Sequence, residues 1–318
     1  MTLGEAADQH AEGALDRLPP VALALVVAAG YVVLAARRRR EPRGWSSRRA
    51  AAFLAGTALL VLALVPGAVP YGEEDFRGHM VQHLLIGMLA PLGLVLGAPV
   101  TLLLRSLPAR HGRLIGRALR SRPGHVLGHP VTALLLNLGG LAALYCTPLY
   151  AAAGTHPVLH HLVHVHFLVA GYLFAWVIAG PDPAPRRPSV KARLVILGVT
   201  VAGHAILSQL LYAGILVRVA VPAEQLRGGA VVMYYGGDIA EILLAFALVT
   251  TWRPRRPPVR GAGPPVLAED TGGRHRHALL PRSGPRGRRR AAAAATGHET
   301  TSLPATRARM TAATRRAR

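Results

Sequence analysis

The sequence predicts an all-α fold, a polytopic membrane helix bundle of about seven transmembrane helices. Of its 318 residues, 51% are hydrophobic and the mean hydropathy is +0.32, yet the formal net charge is +22. A soluble domain would not combine these values, whereas a membrane protein confines its charges to loops and a tail. Cys146 is the single cysteine, which excludes an internal disulfide and cysteine-rich metal motifs.

Seven apolar runs are candidates for crossing the hydrocarbon core, which takes about 20 helical residues. They cover residues 20–36, 50–65, 79–104, 131–147, 158–180, 192–217 and 230–252. The second and fourth runs are short. The third is long and contains Pro91 and Pro99, so we expect it to be kinked or to end early in a re-entrant turn.

The basic residues indicate which connections face the cytoplasm. They fill the first, third and fifth connections, at 37–49, 105–122 and 186–193. The second connection is acidic at 73–75, and no charge lies at 148–156 in the fourth. The positive-inside rule therefore places the N-terminus outside and the C-terminus in the cytoplasm, which requires an odd number of spans.

The composition divides the chain into three parts. We expect an outer N-terminal segment (1–18), a seven-span membrane domain (19–252) and a disordered basic cytoplasmic tail (253–318). The first segment is acidic and lacks a basic start, so the first span is interpreted as a retained anchor rather than a cleaved signal peptide. The tail has too little apolar material to form a core. Because the arginines lie in loops and in this tail, we expect the lipid bilayer as a partner and no nucleic acid.

Histidines occur in pairs at the predicted outer ends of two spans. His79 and His83 open the third span, and His160 and His164 open the fifth. A spacing of four places two side chains on one helix face, roughly 5–6 Å apart at Cβ, where two imidazoles can bind one metal ion. Ionisable side chains are unfavourable in hydrocarbon and usually line a pathway or a metal site. The pairs therefore predict a metal-binding cluster.

Further ionisable residues extend this predicted cluster. Asp238 and Glu241 share a helix face, and we expect them in the first turns of the seventh span, at the same outer face. His166 lies two residues beyond His164 and so points to nearly the opposite face, which suits a supporting role. His204 lies near mid-bilayer on the sixth span, and the sequence does not connect it to the cluster.

The ligand types narrow the choice of metal without fixing it. Imidazole suits zinc, copper, iron and nickel, and carboxylates widen the choice. Thioethers favour Cu(I), and Met80, Met88 and Met233 lie near the outer ends of the relevant spans. Copper and zinc both stay open at this point.

Seven short motifs follow one another along the chain: HMVQHLL at 79–85, AP at 90–91, GAP at 97–99, HVHF at 164–167, GYLF at 171–174, GPDP at 180–183 and GDIAE at 237–241. Together they resemble the cytochrome c oxidase assembly factors of the caa3-type CtaG family. The similarity covers roughly residues 20–256 and leaves out the tail. Separated motifs in the same order make the resemblance specific.

The resemblance implies a seven-span protein of the bacterial inner membrane that helps a terminal oxidase to mature, at the step that supplies copper to the catalytic subunit of the oxidase. A carrier of this kind needs no catalysis. Carried over by motif, the functional candidates are His79, His83, His164, His166, Asp238 and Glu241. His160 joins them on the basis of its spacing alone.

Two other functions are compatible with the same residues. A zinc-dependent intramembrane hydrolase would use three histidines and an activated water, with Asp238 or Glu241 as the general base. Haem ligation by His83 and His164 would need a flat apolar slot between the two facing spans. A spacing of four on one helix serves a small ion better than a porphyrin, so copper binding remains our first prediction and zinc the alternative.

Overall fold

The structure is a computed structural model that describes residues 3–251 except 43, 66, 73, 74 and 186, with only the backbone described for 3–17. Within this part the chain forms α-helices and one π-helical turn, and no strand. The predictions for the acidic residues 73–74 and for the tail at 253–318 lie outside the described residues.

Twelve α-helices follow one another in the described part of the chain. They are α1 (Leu3–Arg39), α2 (Ser47–Leu64), α3 (Phe76–Leu84), α4 (Ala90–Leu96), α5 (Pro99–Ser106), α6 (Ala109–Leu119), α7 (Arg122–Leu127), α8 (Pro130–Cys146), α9 (Leu149–Thr155), α10 (Pro157–Ala179), α11 (Val190–Ala213) and α12 (Ala223–Thr251).

Six stretches are long and apolar enough to cross a membrane. They are Leu18–Arg39, Ser47–Leu64, Phe76–Ser106, Pro157–Ala179, Val190–Ala213 and Ala223–Thr251. Helices α8 and α9 together form a seventh candidate, bent by 77° at the break between them. The predicted all-α bundle of about seven spans is confirmed, and the short fourth run proves to be this bent pair.

The third span changes its winding twice. The π-helical turn Leu85–Leu89 follows α3 directly, and α4 then carries Pro91 near its start. The span breaks at Ala98, whose φ of 52° is left-handed, before Pro99 begins α5. The third span therefore contains a π-bulge, a feature that often accompanies functional sites.

The third span is central and packs against α2, α10 and α12. It approaches α10 closely at Gly171, where an added Cβ would lie 1.9 Å from the carbonyl oxygen of Gly87 in the π-helical turn. Only glycine permits this approach, because the neighbouring atom belongs to the backbone. The approach holds the histidine-bearing faces of α3 and α10 close together.

A buried carboxylate fixes the opposite end of the third span. Asp182, in the loop between α10 and α11, is 1% exposed and accepts hydrogen bonds from the backbone N–H groups of Val100 (3.0 Å) and Thr101 (2.7 Å). The Thr101 hydroxyl donates a third bond, at 2.5 Å. The carboxylate satisfies otherwise unpaired N–H groups in the first turn of α5. The GPDP motif therefore ties the third span to the α10–α11 loop.

Candidate metal-binding site

The two histidine pairs lie at the same end of the bundle, named here the histidine end and marked by His79 and His160. The ring centroids of His79 and His83 are 6.4 Å apart, and those of His160 and His164 are 4.3 Å apart. His79 is close enough to His160 for electrostatic interaction, and His83 is close enough to His164. Neighbouring spans thus bring the two predicted pairs together, and we call them the outer pairs.

His79 lies in an aromatic surrounding that also contains a thioether. Its Nε2 is 3.2 Å from the hydroxyl oxygen of Tyr145, and this hydroxyl donates to the Sδ of Met80 at 3.5 Å. The Tyr150 ring meets the imidazole edge-on, with centroids 5.0 Å apart. One phenol therefore joins two donor atoms that both suit copper.

His83 lies one helical turn deeper and is buried, with 7% of its surface exposed. Its ring packs edge-on against Phe167 of α10, with centroids 4.2 Å apart. The π-helical turn begins two residues later, at Leu85. This position makes His83 the innermost member of the outer pairs on α3.

The carboxylates of α12 lie deeper than the sequence predicted. Because α12 begins at Ala223 and not near residue 230, Asp238 and Glu241 follow 15 and 18 residues of helix, about 22 and 27 Å at ~1.5 Å per residue. The expectation that they occupy the first turns of the span is therefore wrong. The predicted run missed the helical residues 223–229 because they include charged residues and two glycines.

Glu241 meets the histidine whose role the sequence left open. The Nδ1 of His204 is 3.5 Å from the Oε1 of Glu241, and the two side chains are 3% and 4% exposed. His204 is also close enough to His83 and to Asp238 for electrostatic interaction. We call His204 and Glu241 the deep pair, and it continues the series of polar side chains inward from the outer pairs.

The backbone of α12 makes room for the His204 imidazole. A Cβ added at Gly237 would lie 2.1 Å from the Cε1 of His204 and 2.4 Å from its Nδ1. Such contacts are far shorter than van der Waals distance, so glycine is required while the ring keeps this position. The Gly237 of the GDIAE motif thus supports the deep pair.

The deep pair is not fully hydrogen-bonded within the described residues. The Nε2 of His204 and both carboxylate oxygens of Glu241 have no hydrogen-bond partner there. Burying such groups without a partner costs on the order of several kcal/mol, which is why intramembrane ionisable residues usually bind or carry something.

Two other histidines of α10 contact backbone carbonyl groups. The Nε2 of His166, which was predicted for the site, is 3.1 Å from the carbonyl oxygen of Leu136, so His166 faces α8. His161 is exposed, and its Nδ1 contacts the carbonyl oxygen of Pro157 at 2.8 Å on its own helix. In the described part of the chain no three His, Cys, Asp or Glu side chains are arranged to hold one ion.

An apolar cavity of about 580 Å³ lies beside the His160–His164 pair. It is lined by residues of α1, α2, α10 and the third span, with Gln82 among the few polar ones. The imidazoles of α10 therefore border a space that is large enough for a ligand but mainly apolar.

Sequence reasoning did not identify Tyr145 or the pairing of His204 with Glu241. Tyr145 lies on α8, far along the chain from His79, and nothing in its local pattern indicates an inward hydroxyl. For the deep pair the sequence did contain a signal. His204 lies between the small residues Gly203 and Ala205, and Gly237 lies close before Glu241 on the other helix. Small residues on both helices indicate a close helix crossing.

The chain is similar to known proteins over most of its described length. The sequence model of the cytochrome c oxidase caa3 assembly factor family (Caa3_CtaG) matches residues 29–255. Uncharacterized proteins of Mycobacterium bovis and Mycobacterium tuberculosis are each 35% identical over 251 residues, covering 73% of this chain and 38% of theirs. One from Mycobacterium leprae is 33% identical with the same coverage. The chain thus spans less than two fifths of the length of these relatives. No solved structure matches it significantly.

Proposed function

The chain belongs to the cytochrome c oxidase caa3 assembly factor family, and we propose that it supports the assembly of a cytochrome c oxidase by binding copper at the histidine end and supplying it to the catalytic subunit of the oxidase. As a member of this bacterial family it is a multi-pass protein of the plasma membrane. The proposed role requires the protein to bind an ion and release it. It does not require the protein to break a bond in a substrate.

The observation that carries the proposal is the meeting of two HxxxH pairs from separate spans. Four imidazoles lie at one end of the bundle, with ring centroids 6.4 and 4.3 Å apart within the pairs. Nitrogen donors bind copper more tightly than the other divalent first-row metals. The Met80 thioether, linked to His79 through the Tyr145 hydroxyl, adds a donor that favours Cu(I).

The arrangement suits a carrier better than a permanent metal centre. Structural metal sites are closed by four protein ligands, whereas each outer pair offers two imidazoles. An ion held in this way keeps open positions that a ligand from the oxidase can occupy during transfer. The hydrolase alternative needs three protein ligands on one zinc ion, and no such group occurs among the described residues.

Copper content of the purified full chain tests the binding step. The protein is loaded with copper or zinc in detergent, freed of unbound metal and measured by elemental analysis. We expect at least one copper per wild-type chain and a loss of the outer-site copper in His83→Ala/His164→Ala. The matched control is His125→Ala/His129→Ala, which removes two exposed histidines of the α7–α8 region that belong to neither pair.

Oxidase maturation in cells tests the delivery step. A bacterial host that lacks its own copy of the gene is complemented with wild type, the double variant or the control, and the copper content of the isolated oxidase is measured. The wild type and the control should restore it, and His83→Ala/His164→Ala should not. A wild-type protein that binds no copper, or an oxidase that is fully loaded without the gene, contradicts the proposal.

A further inference from the structure

The deep pair is separate in depth from the outer pairs. His204 lies nine residues before the end of α11 at Ala213, about 14 Å along the helix axis at ~1.5 Å per residue. His79 lies three residues after the start of α3 at Phe76, about 5 Å by the same rise. The sequence placed Asp238 and Glu241 at the level of the histidine pairs and His204 near mid-bilayer, whereas the structure brings Glu241 to the depth of His204.

The donor atoms of the deep pair are available for a ligand. The Nε2 of His204 and both oxygens of Glu241 have no hydrogen-bond partner within the described residues, although both side chains are more than nine-tenths buried. A pair that served packing alone would have its polar atoms satisfied by neighbours. The Nδ1 of His204 and the Oε1 of Glu241 are 3.5 Å apart, a separation that one metal cation bound to both atoms can bridge, and Asp238 on the same helix contributes further negative charge.

His83 lies between the two sets. Its imidazole is within electrostatic range of His79 and His164 in the outer pairs and of His204 in the deep pair. His83 is therefore the residue of the outer pairs that connects them to the deep pair. The Gly237 backbone, which leaves space for the His204 ring, keeps this ring beside Glu241.

We propose that His204 and Glu241 form a second, deeper binding site for a transition-metal cation, which receives the ion from the outer pairs through His83. This inference rests on the proposed function, because copper is the ion that the outer pairs are proposed to bind. It adds a site inside the membrane, with one imidazole and one carboxylate as ligands. Copper thus occupies two positions in series, one at each depth.

Copper stoichiometry of the full chain in detergent distinguishes the two sites. The deep variants are His204→Gln and Glu241→Gln, and the outer variant is His79→Ala/His160→Ala. Ser208→Ala is the control, because Ser208 is also buried on α11 and bonds only to the His204 carbonyl oxygen at 2.9 Å. We expect two copper ions in the wild type and the control, and one in the deep and outer variants. The copper remaining in the outer variant should show nitrogen and oxygen ligands by X-ray absorption.

The result that overturns the deep site differs from the one that overturns the proposed function. If wild type binds one copper, the deep variants keep it and the outer variant loses it, then the deep site is refuted and the proposed function stands. If wild type binds no copper, both are refuted. Glu241→Gln preserves side-chain volume, and gel filtration of each variant verifies that it is folded before its metal content is compared.

Discussion

Replacing Gly237 by alanine should displace the His204 imidazole without altering any ligand. The added Cβ would lie 2.1 Å from the Cε1 of His204, and ordinary contact begins near 3.4 Å, so the ring has to move by about 1.3 Å. The movement is directed away from α12 and lengthens the 3.5 Å approach of Nδ1 to Glu241. Overpacking of this kind costs about 1–3 kcal/mol in stability. Loss of support for a metal ligand lowers affinity roughly 10- to 100-fold.

Two measurements on detergent-solubilised protein check this prediction. Thermal unfolding gives the change in stability, and copper titration against a competing chelator gives the affinity of the deep site in the outer-variant background. Gly198→Ala on α11 is the matched control, because nothing lies within 4 Å of its added Cβ. Removal of a glycine from an open helix position should leave copper binding unchanged and stabilise the helix by up to about 1 kcal/mol.

Unchanged deep-site affinity in a folded Gly237→Ala variant would refute the reasoning. It would mean either that the His204 ring is not held against α12 or that its nitrogen does not bind the ion. If Gly198→Ala loses copper to the same extent as Gly237→Ala, the effect does not depend on the contact with His204, and this outcome also contradicts the steric argument.

Three further predictions concern other parts of the molecule. Asp182→Ala leaves three hydrogen-bond donors near α5 without their acceptor and should lower the stability of the protein by about 2–5 kcal/mol, measured by thermal unfolding. Asp182→Asn keeps one acceptor oxygen and should lose less stability. Tyr145→Phe removes the hydroxyl that donates to the Sδ of Met80 and contacts the Nε2 of His79. Freeing these atoms should raise outer-site copper affinity roughly 2- to 10-fold, the equivalent of one net hydrogen bond. An unchanged or weaker affinity in the chelator competition contradicts this. Acidification should release copper, because only a neutral imidazole can bind the metal ion. Equilibrium dialysis at falling pH measures this release, and copper that stays bound in acid contradicts imidazole ligation.

Much of the fold could be predicted from the sequence because the bilayer imposes strong local constraints. A span needs about 20 apolar residues, and hydrocarbon leaves no alternative to helical hydrogen bonding, so composition alone predicts the bundle. The pairing of His79 with His83 also follows from sequence, because a spacing of four fixes two side chains on one face. The start of α12 could not be predicted in this way, since a helix can extend beyond the apolar run wherever neighbouring chain covers it.

The sequence by itself determined the apolar spans and the two histidine pairs, because helical periodicity and hydrophobic length act over neighbouring residues. It also carried the resemblance to the assembly-factor family, which the match over residues 29–255 confirms. Only the tertiary structure decided that Asp238 and Glu241 lie deep in α12 and that His204 meets Glu241. These relations depend on how α11 and α12 cross, and the crossing is set by contacts such as that of Gly237 with the imidazole, between residues far apart in the chain.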